Sequence, residues 1–223
     1  MKRILLLVTI FAFALCGSVQ ASSCVSGLFS IYDGPMFSCN IADLVFSNFV
    51  YTSTGTNTVA PVDSAVHVKV ISGGPETGFQ FVAGWAADPG AEEDSLIEYK
   101  VTCDGCSITD WVLTVGSAGA DGNAFVNVTE TATELSGSLK VGANSTISVP
   151  TDSQTIPPQG TLDLSKDIHV NGGTLASLGA QVSSVTNLFS STQTTMTPEP
   201  SLLLLCAGLL GLLPVARRML RRA

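Results

Sequence analysis

The chain has 223 residues, a formal net charge of −8 and six cysteines. Six of its ten Lys and Arg lie at the two ends, so the stretch between them carries only Lys69, Lys100, Lys140 and Lys166 against all but one of the 18 Asp and Glu. That acidic, arginine-free middle excludes nucleic acid as a partner, because phosphate binding needs clustered cations, and it disfavours contact with anionic headgroups.

Residues 1–21 have the parts of a secretory signal peptide. Lys2 and Arg3 precede an apolar run over 4–16, and Val19-Gln20-Ala21 offers signal peptidase small residues for cleavage after Ala21. Leu15 is too bulky before Cys16 for a lipoprotein site.

Residues 22–182 read as an exported domain. Short runs rich in Val, Ile, Thr and Phe occur at 44–51, 66–70, 79–86, 96–103, 108–115, 124–131, 138–141, 146–149, 161–170 and 181–189. Turn signals such as Ser72-Gly73-Gly74-Pro75, Asp121-Gly122-Asn123 and Asn171-Gly172-Gly173 separate them. Val66, Val68 and Val70 alternate with His67 and Lys69, the period of a half-buried strand, whereas 44–51 alternates less regularly. The pattern predicts an all-β, antiparallel β-sandwich, with a jelly-roll or an immunoglobulin-like strand order.

Cys24, Cys39, Cys103 and Cys106 form an even set in a chain expected to be exported, which points to disulfides. Three connectivities exist, and the local pairs Cys24–Cys39 and Cys103–Cys106 are the favoured ones, the second across an Asp104-Gly105 turn. A redox role for Cys103 and Cys106 would need a helix N-terminus, and strands flank this pair. A zinc site would need a second pair of similar spacing, which Cys24 and Cys39 do not supply.

Residues 183–197 are rich in Ser and Thr and read as a polar stalk. Beyond them come Pro198, Glu199 and Pro200, an uncharged run over 201–216, and the cluster Arg217, Arg218, Arg221 and Arg222. As a helix the run would span about 24 Å, slightly short of a hydrocarbon core, with the arginines on the cytoplasmic side. Triplet, apolar helix and terminal arginines in this order resemble the PEP-CTERM sorting signal over 198–223. The resemblance implies recognition by an exosortase at the inner membrane, then release or transfer to the cell surface, outer envelope or extracellular matrix. It also implies an origin in bacteria that make exopolysaccharide. Cys39 followed by Phe46-Ser47, Phe49 and Tyr51 is similar to a block shared by some such proteins and names no activity.

No G-x-S-x-G elbow, P-loop or dinucleotide fingerprint occurs. No catalytic residue, metal ligand or cofactor is therefore assigned, and the chain is read as no enzyme. Asp88, Glu92, Glu93 and Asp94 crowd an acidic stretch whose oxygens could suit calcium, but without EF-hand spacing. His67 and His169 are expected to face solvent, and Trp85 and Trp111 to fill the core rather than to stack on a sugar. The expectation is an exported surface or matrix protein of unknown activity. The alternative is a carbohydrate- or calcium-binding β-sandwich module.

Overall fold

The computed structural model describes residues 22–193 except 35, 175 and 177. In chain order the strands begin with β1 (Ser22–Ser23), β2 (Gly27–Leu28), β3 (Ser38–Ile41), β4 (Leu44–Thr56) and β5 (His67–Ile71). They continue with β6 (Thr77–Ala87), β7 (Glu92–Cys103), β8 (Cys106–Val115), β9 (Ala118–Ala120) and β10 (Phe125–Ala132). The last are β11 (Ser138–Asn144), β12 (Ser148–Val149), β13 (Thr151–Gln159), β14 (Thr161–Asn171) and β15 (Ala180–Gln193).

These strands form two sheets. The larger runs β1-β3-β4-β7-β14-β10-β11-β12, and the smaller runs β13-β8-β15-β6-β5-β2, with β9 paired to β15. Pairing is antiparallel apart from β1 with β3 and the isolated Asp33–Phe49 bridge. Successive side chains alternate between faces, and the inward sets of both sheets meet in one core. The larger sheet contributes Phe46, Phe49, Ile97, Tyr99 and Ile168, and the smaller Phe79, Phe81, Trp85, Trp111 and Phe189. Phe49 stacks on Tyr99 at 5.4 Å between ring centroids. Gly78 lets β6 approach β15 closely, since a Cβ there would collide with the Asn187 carbonyl.

The all-β antiparallel sandwich agrees with the sequence; the expected flanks do not follow from the structure. Among the described residues no helix is long and apolar enough to cross a membrane. The helical turns there are Phe29–Tyr32 and Asp63–Ala65, a fraction of the roughly 20 residues a span requires. The signal peptide at 1–21 and the sorting signal at 198–223, with its span 201–216, lie outside the described residues. So do Pro198, Glu199, Pro200, Arg217, Arg218, Arg221 and Arg222. The structure supports a β-sandwich, and the membrane helix, the membrane anchoring, the exosortase and signal peptidase as partners, and the envelope address are accordingly withdrawn. The polar segment expected from residue 183 onward is still strand as far as Gln193, because β15 lies between β8 and β6; residues 194–197 lie outside the described residues.

Candidate functional site

Strict alternation along β7 sorts the acidic stretch onto two faces. Glu93, Ser95, Ile97, Tyr99, Val101 and Cys103 point inward, and Glu92, Asp94, Glu98 and Lys100 point out. Register then assembles the outer face. Asp94 pairs with His169 of β14, and Glu92 with Asn171. Across the next ladder His169 pairs with Asn127 of β10, and Asn171 with Phe125.

His169 is the centre of this group. Its Nε2 lies 2.7 Å from Glu92 Oε1, and its Nδ1 3.7 Å from Asp94 Oδ1. Its ring stands 5.1 Å from that of Phe125, tilted by 57°. Glu92, Asp94 and His169 each offer one ligand atom, all within 4.8 Å of one another. An imidazole with two carboxylates is a donor set that a divalent transition metal accepts more readily than calcium does. Asp167 stands two residues before His169 on the same face; burial pushes its carboxyl above the usual range, Asp94 adds to that, and His169 opposes it. Beside Phe125 and Asn127 the surface opens into a cleft of about 440 Å³, bordered by Lys140, Gly142, Ile147 and Val149.

Other expected residues fall elsewhere. His67 is exposed on β5 of the smaller sheet, so the two histidines do not form a pair. Glu93 is turned into the core, where the Ala86 N–H donates to its Oε2 at 2.9 Å and Ser95 Oγ donates to its Oε1 at 3.3 Å. Burial pushes its pKa up to about 7. Trp85 and Trp111 are wholly buried and offer no sugar platform. Cys24 is bonded to Cys39 and Cys103 to Cys106, with Cα atoms 4.8 and 5.2 Å apart. The second bridge closes the β7–β8 turn, where Gly105 takes a φ of +69° that favours glycine.

Phe125 and Asn127 belong to no motif that marks them as site residues, although the sequence holds a signal. In 124–131 the even positions carry Ala124, Val126 and Val128, which leaves Phe125 on the opposite, outward phase. An aromatic on the solvent phase of a strand is the kind of residue a ligand face uses.

No protein-family model matches the chain, and no curated protein matches it. Among solved structures it is similar to TmCBM61 in complex with beta-1,4-galactotriose, at 8% identity and a TM-score of 0.29, over 61% of this chain and 86% of that one. A structure of carbohydrate-binding modules from the β-sandwich superfamily is similar at 10% identity and a TM-score of 0.20, over 75% of this chain and 63% of that one. CtCBM11 is similar at 14% identity and a TM-score of 0.21, over 79% and 99% respectively. At such scores these are similarities only, and the site is read from its own residues. Fold and site together define a β-sandwich with an aromatic and acidic face on its larger sheet.

Proposed function

We propose that the chain is a carbohydrate-binding β-sandwich module that takes its ligand on the outer face of the larger sheet. The observation that carries this reading is the Phe125–His169 ring pair set in register with Glu92, Asp94 and Asn127. A sugar ring presents C–H groups on its faces and hydroxyls at its rim. The first pack on an aromatic ring, and the second donate to carboxylates and accept from a carboxamide or ammonium. Phe125 supplies the ring, Glu92 and Asp94 the acceptors, and Asn127 and Lys140 the donors. The cleft beside Phe125 leaves room for further sugar units.

Binding without catalysis fits the geometry. Glu92 and Asp94 project side by side from one strand face. Carboxylates that cleave a glycosidic bond flank it from opposite sides.

The test is a glycan array followed by affinity electrophoresis in acidic and neutral polysaccharides, with and without a chelator. Retarded migration that Phe125→Ala weakens about fivefold is expected. Failure to bind any glycan, or binding by both Phe125→Ala and Asp94→Ala as tight as the parent's, would overturn the proposal. Loss of binding in chelator would assign Glu92, Asp94 and His169 to a cation that bridges to the sugar.

A further inference from the structure

The interior holds a second constellation, on residues that the outer face does not use. Lys166 of β14 and Glu130 of β10 are register partners pointing inward. Asn187 of β15 reaches the same point from the smaller sheet. All three are 0% exposed. Lys166 Nζ lies 2.5 Å from Glu130 Oε2. Asn187 Nδ2 donates to the other oxygen, Oε1, at 2.6 Å, and more weakly to the Val112 carbonyl at 3.4 Å. Trp111 Nε1 also donates to Oε1 and fixes the carboxylate. The Lys166 ammonium stands 5.1 Å from the Phe81 ring centroid and 5.5 Å from that of Tyr99. One carboxylate thus holds an amine on one oxygen and a carboxamide on the other, in an aromatic shell that keeps water out.

We propose that Lys166 and Asn187 join in an intramolecular isopeptide bond, with Glu130 moving the proton, so that a covalent strut ties the two sheets together. Two features of the cluster suit this step. The carboxamide nitrogen, which must depart, is the atom that touches Glu130. The carboxamide oxygen is buried and accepts no hydrogen bond, which is costly for a group with no chemical role.

The step balances without any co-reactant. The Lys166 ammonium gives a proton to the Glu130 carboxylate, and its freed electron pair attacks Asn187 Cγ. A new Nζ–Cγ bond forms, the Cγ–Nδ2 bond breaks, and Nδ2 leaves as ammonia after taking up a proton relayed from Nζ through Glu130. The products are a secondary amide, a protonated Glu130 and one ammonia. Burial favours this course, because it pulls the Lys166 ammonium below its usual range and only Glu130 opposes that pull. Water exclusion also prevents the amide from being hydrolysed once formed.

Mass spectrometry of the folded, reduced full chain tests the bond. Against the mass calculated from its own confirmed termini, the protein is expected to be lighter by one ammonia, about 17 Da. Digestion should yield a branched peptide that fragmentation locates at Lys166 and Asn187. Asn187→Ala and Glu130→Gln are expected to show their full calculated masses, with near-ultraviolet circular dichroism reporting whether each is folded. A full calculated mass for the folded wild-type chain after prolonged incubation overturns the proposal whatever the variants do. So does a loss of ammonia that maps to any other residue.

Discussion

Glu130 and Lys166 stand directly opposite each other on β10 and β14, and neither side chain reaches solvent. Until the amide forms they are two charges in a core, which cost several kcal/mol each in lost hydration, and their contact offsets that cost only while both are present. Relative to a chain that keeps this pair unbonded, Lys166→Met is therefore expected to destabilise the fold by about 3–5 kcal/mol, because Glu130 is left buried without its partner. Pairing it with Glu130→Leu should recover stability relative to the single variant, since both charges are then gone. Urea unfolding of the three proteins measures this, and a double variant less stable than Lys166→Met would count against it.

Glu93 makes stability depend on pH in an unusual direction. Its folded pKa of about 7 lies above the ordinary carboxyl value of 4.5, and loss of hydration on burial is the main cause. Between those values the folded chain holds a proton that the unfolded chain has released. Stability contributed by this group is therefore full below the lower value and falls as pH rises through the window. The fall amounts to at most about 3 kcal/mol and levels off above the folded pKa. Most carboxylates that accept hydrogen bonds in a fold act the other way. Glu93→Gln should flatten the slope between those limits in thermal melts, and an unchanged slope would assign it to another group.

The same alternation that revealed the strands also concealed parts of the fold. The uneven pattern of 44–51 is a bulge: register shifts between Ser47 and Val50, Asn48 takes a φ of +56°, and Phe46 and Phe49 both face inward. Pro157 and Pro158 argue against a strand over 151–159, yet β13 forms there. It is an edge strand whose ladder partner is β8, with a register shift at the prolines, the setting in which proline is tolerated. The many Ser and Thr of β15 suggest a polar stalk from residue 183, although its buried positions run Val182, Val185, Asn187 and Phe189. The polar core had a trace in sequence. Lys166 occupies the apolar phase of Leu162, Leu164, Ile168 and Val170, and Glu130 that of Val126 and Val128. A charge on the core phase of two strands predicts a buried pair, but only register shows that they meet. For the outer face, periodicity placed His169 outward, while its neighbours Glu92 and Phe125 belong to strands distant in sequence.

The two disulfides should differ in their effect. Cys24–Cys39 spans a sequence separation of 15 and fastens β1 to β3, where the strands share only two paired positions. Cys103–Cys106 spans a separation of 3, in a turn that the β7 and β8 backbones already hold. Loop-closure entropy then predicts about 3 kcal/mol for the first and about 2 kcal/mol for the second. Replacing each pair by serine and comparing unfolding midpoints tests the order, and a larger loss from the 103–106 pair would contradict it.

Trp85 and Phe125 separate stability from recognition. Trp85 is wholly buried on β6 opposite Val182, so Trp85→Ala empties core volume and is expected to destabilise by about 3–5 kcal/mol. Phe125 is half-buried on the outer phase of β10 and meets His169 there. Its loss to alanine removes a stacking surface worth about 1 kcal/mol while leaving the interior filled. The two variants should therefore behave in opposite ways. At a temperature where both are folded, Trp85→Ala is expected to bind polysaccharide like the parent and to melt early. Phe125→Ala should melt near the parent and bind several-fold more weakly. Weakened binding by folded Trp85→Ala would move the ligand away from the Phe125 face.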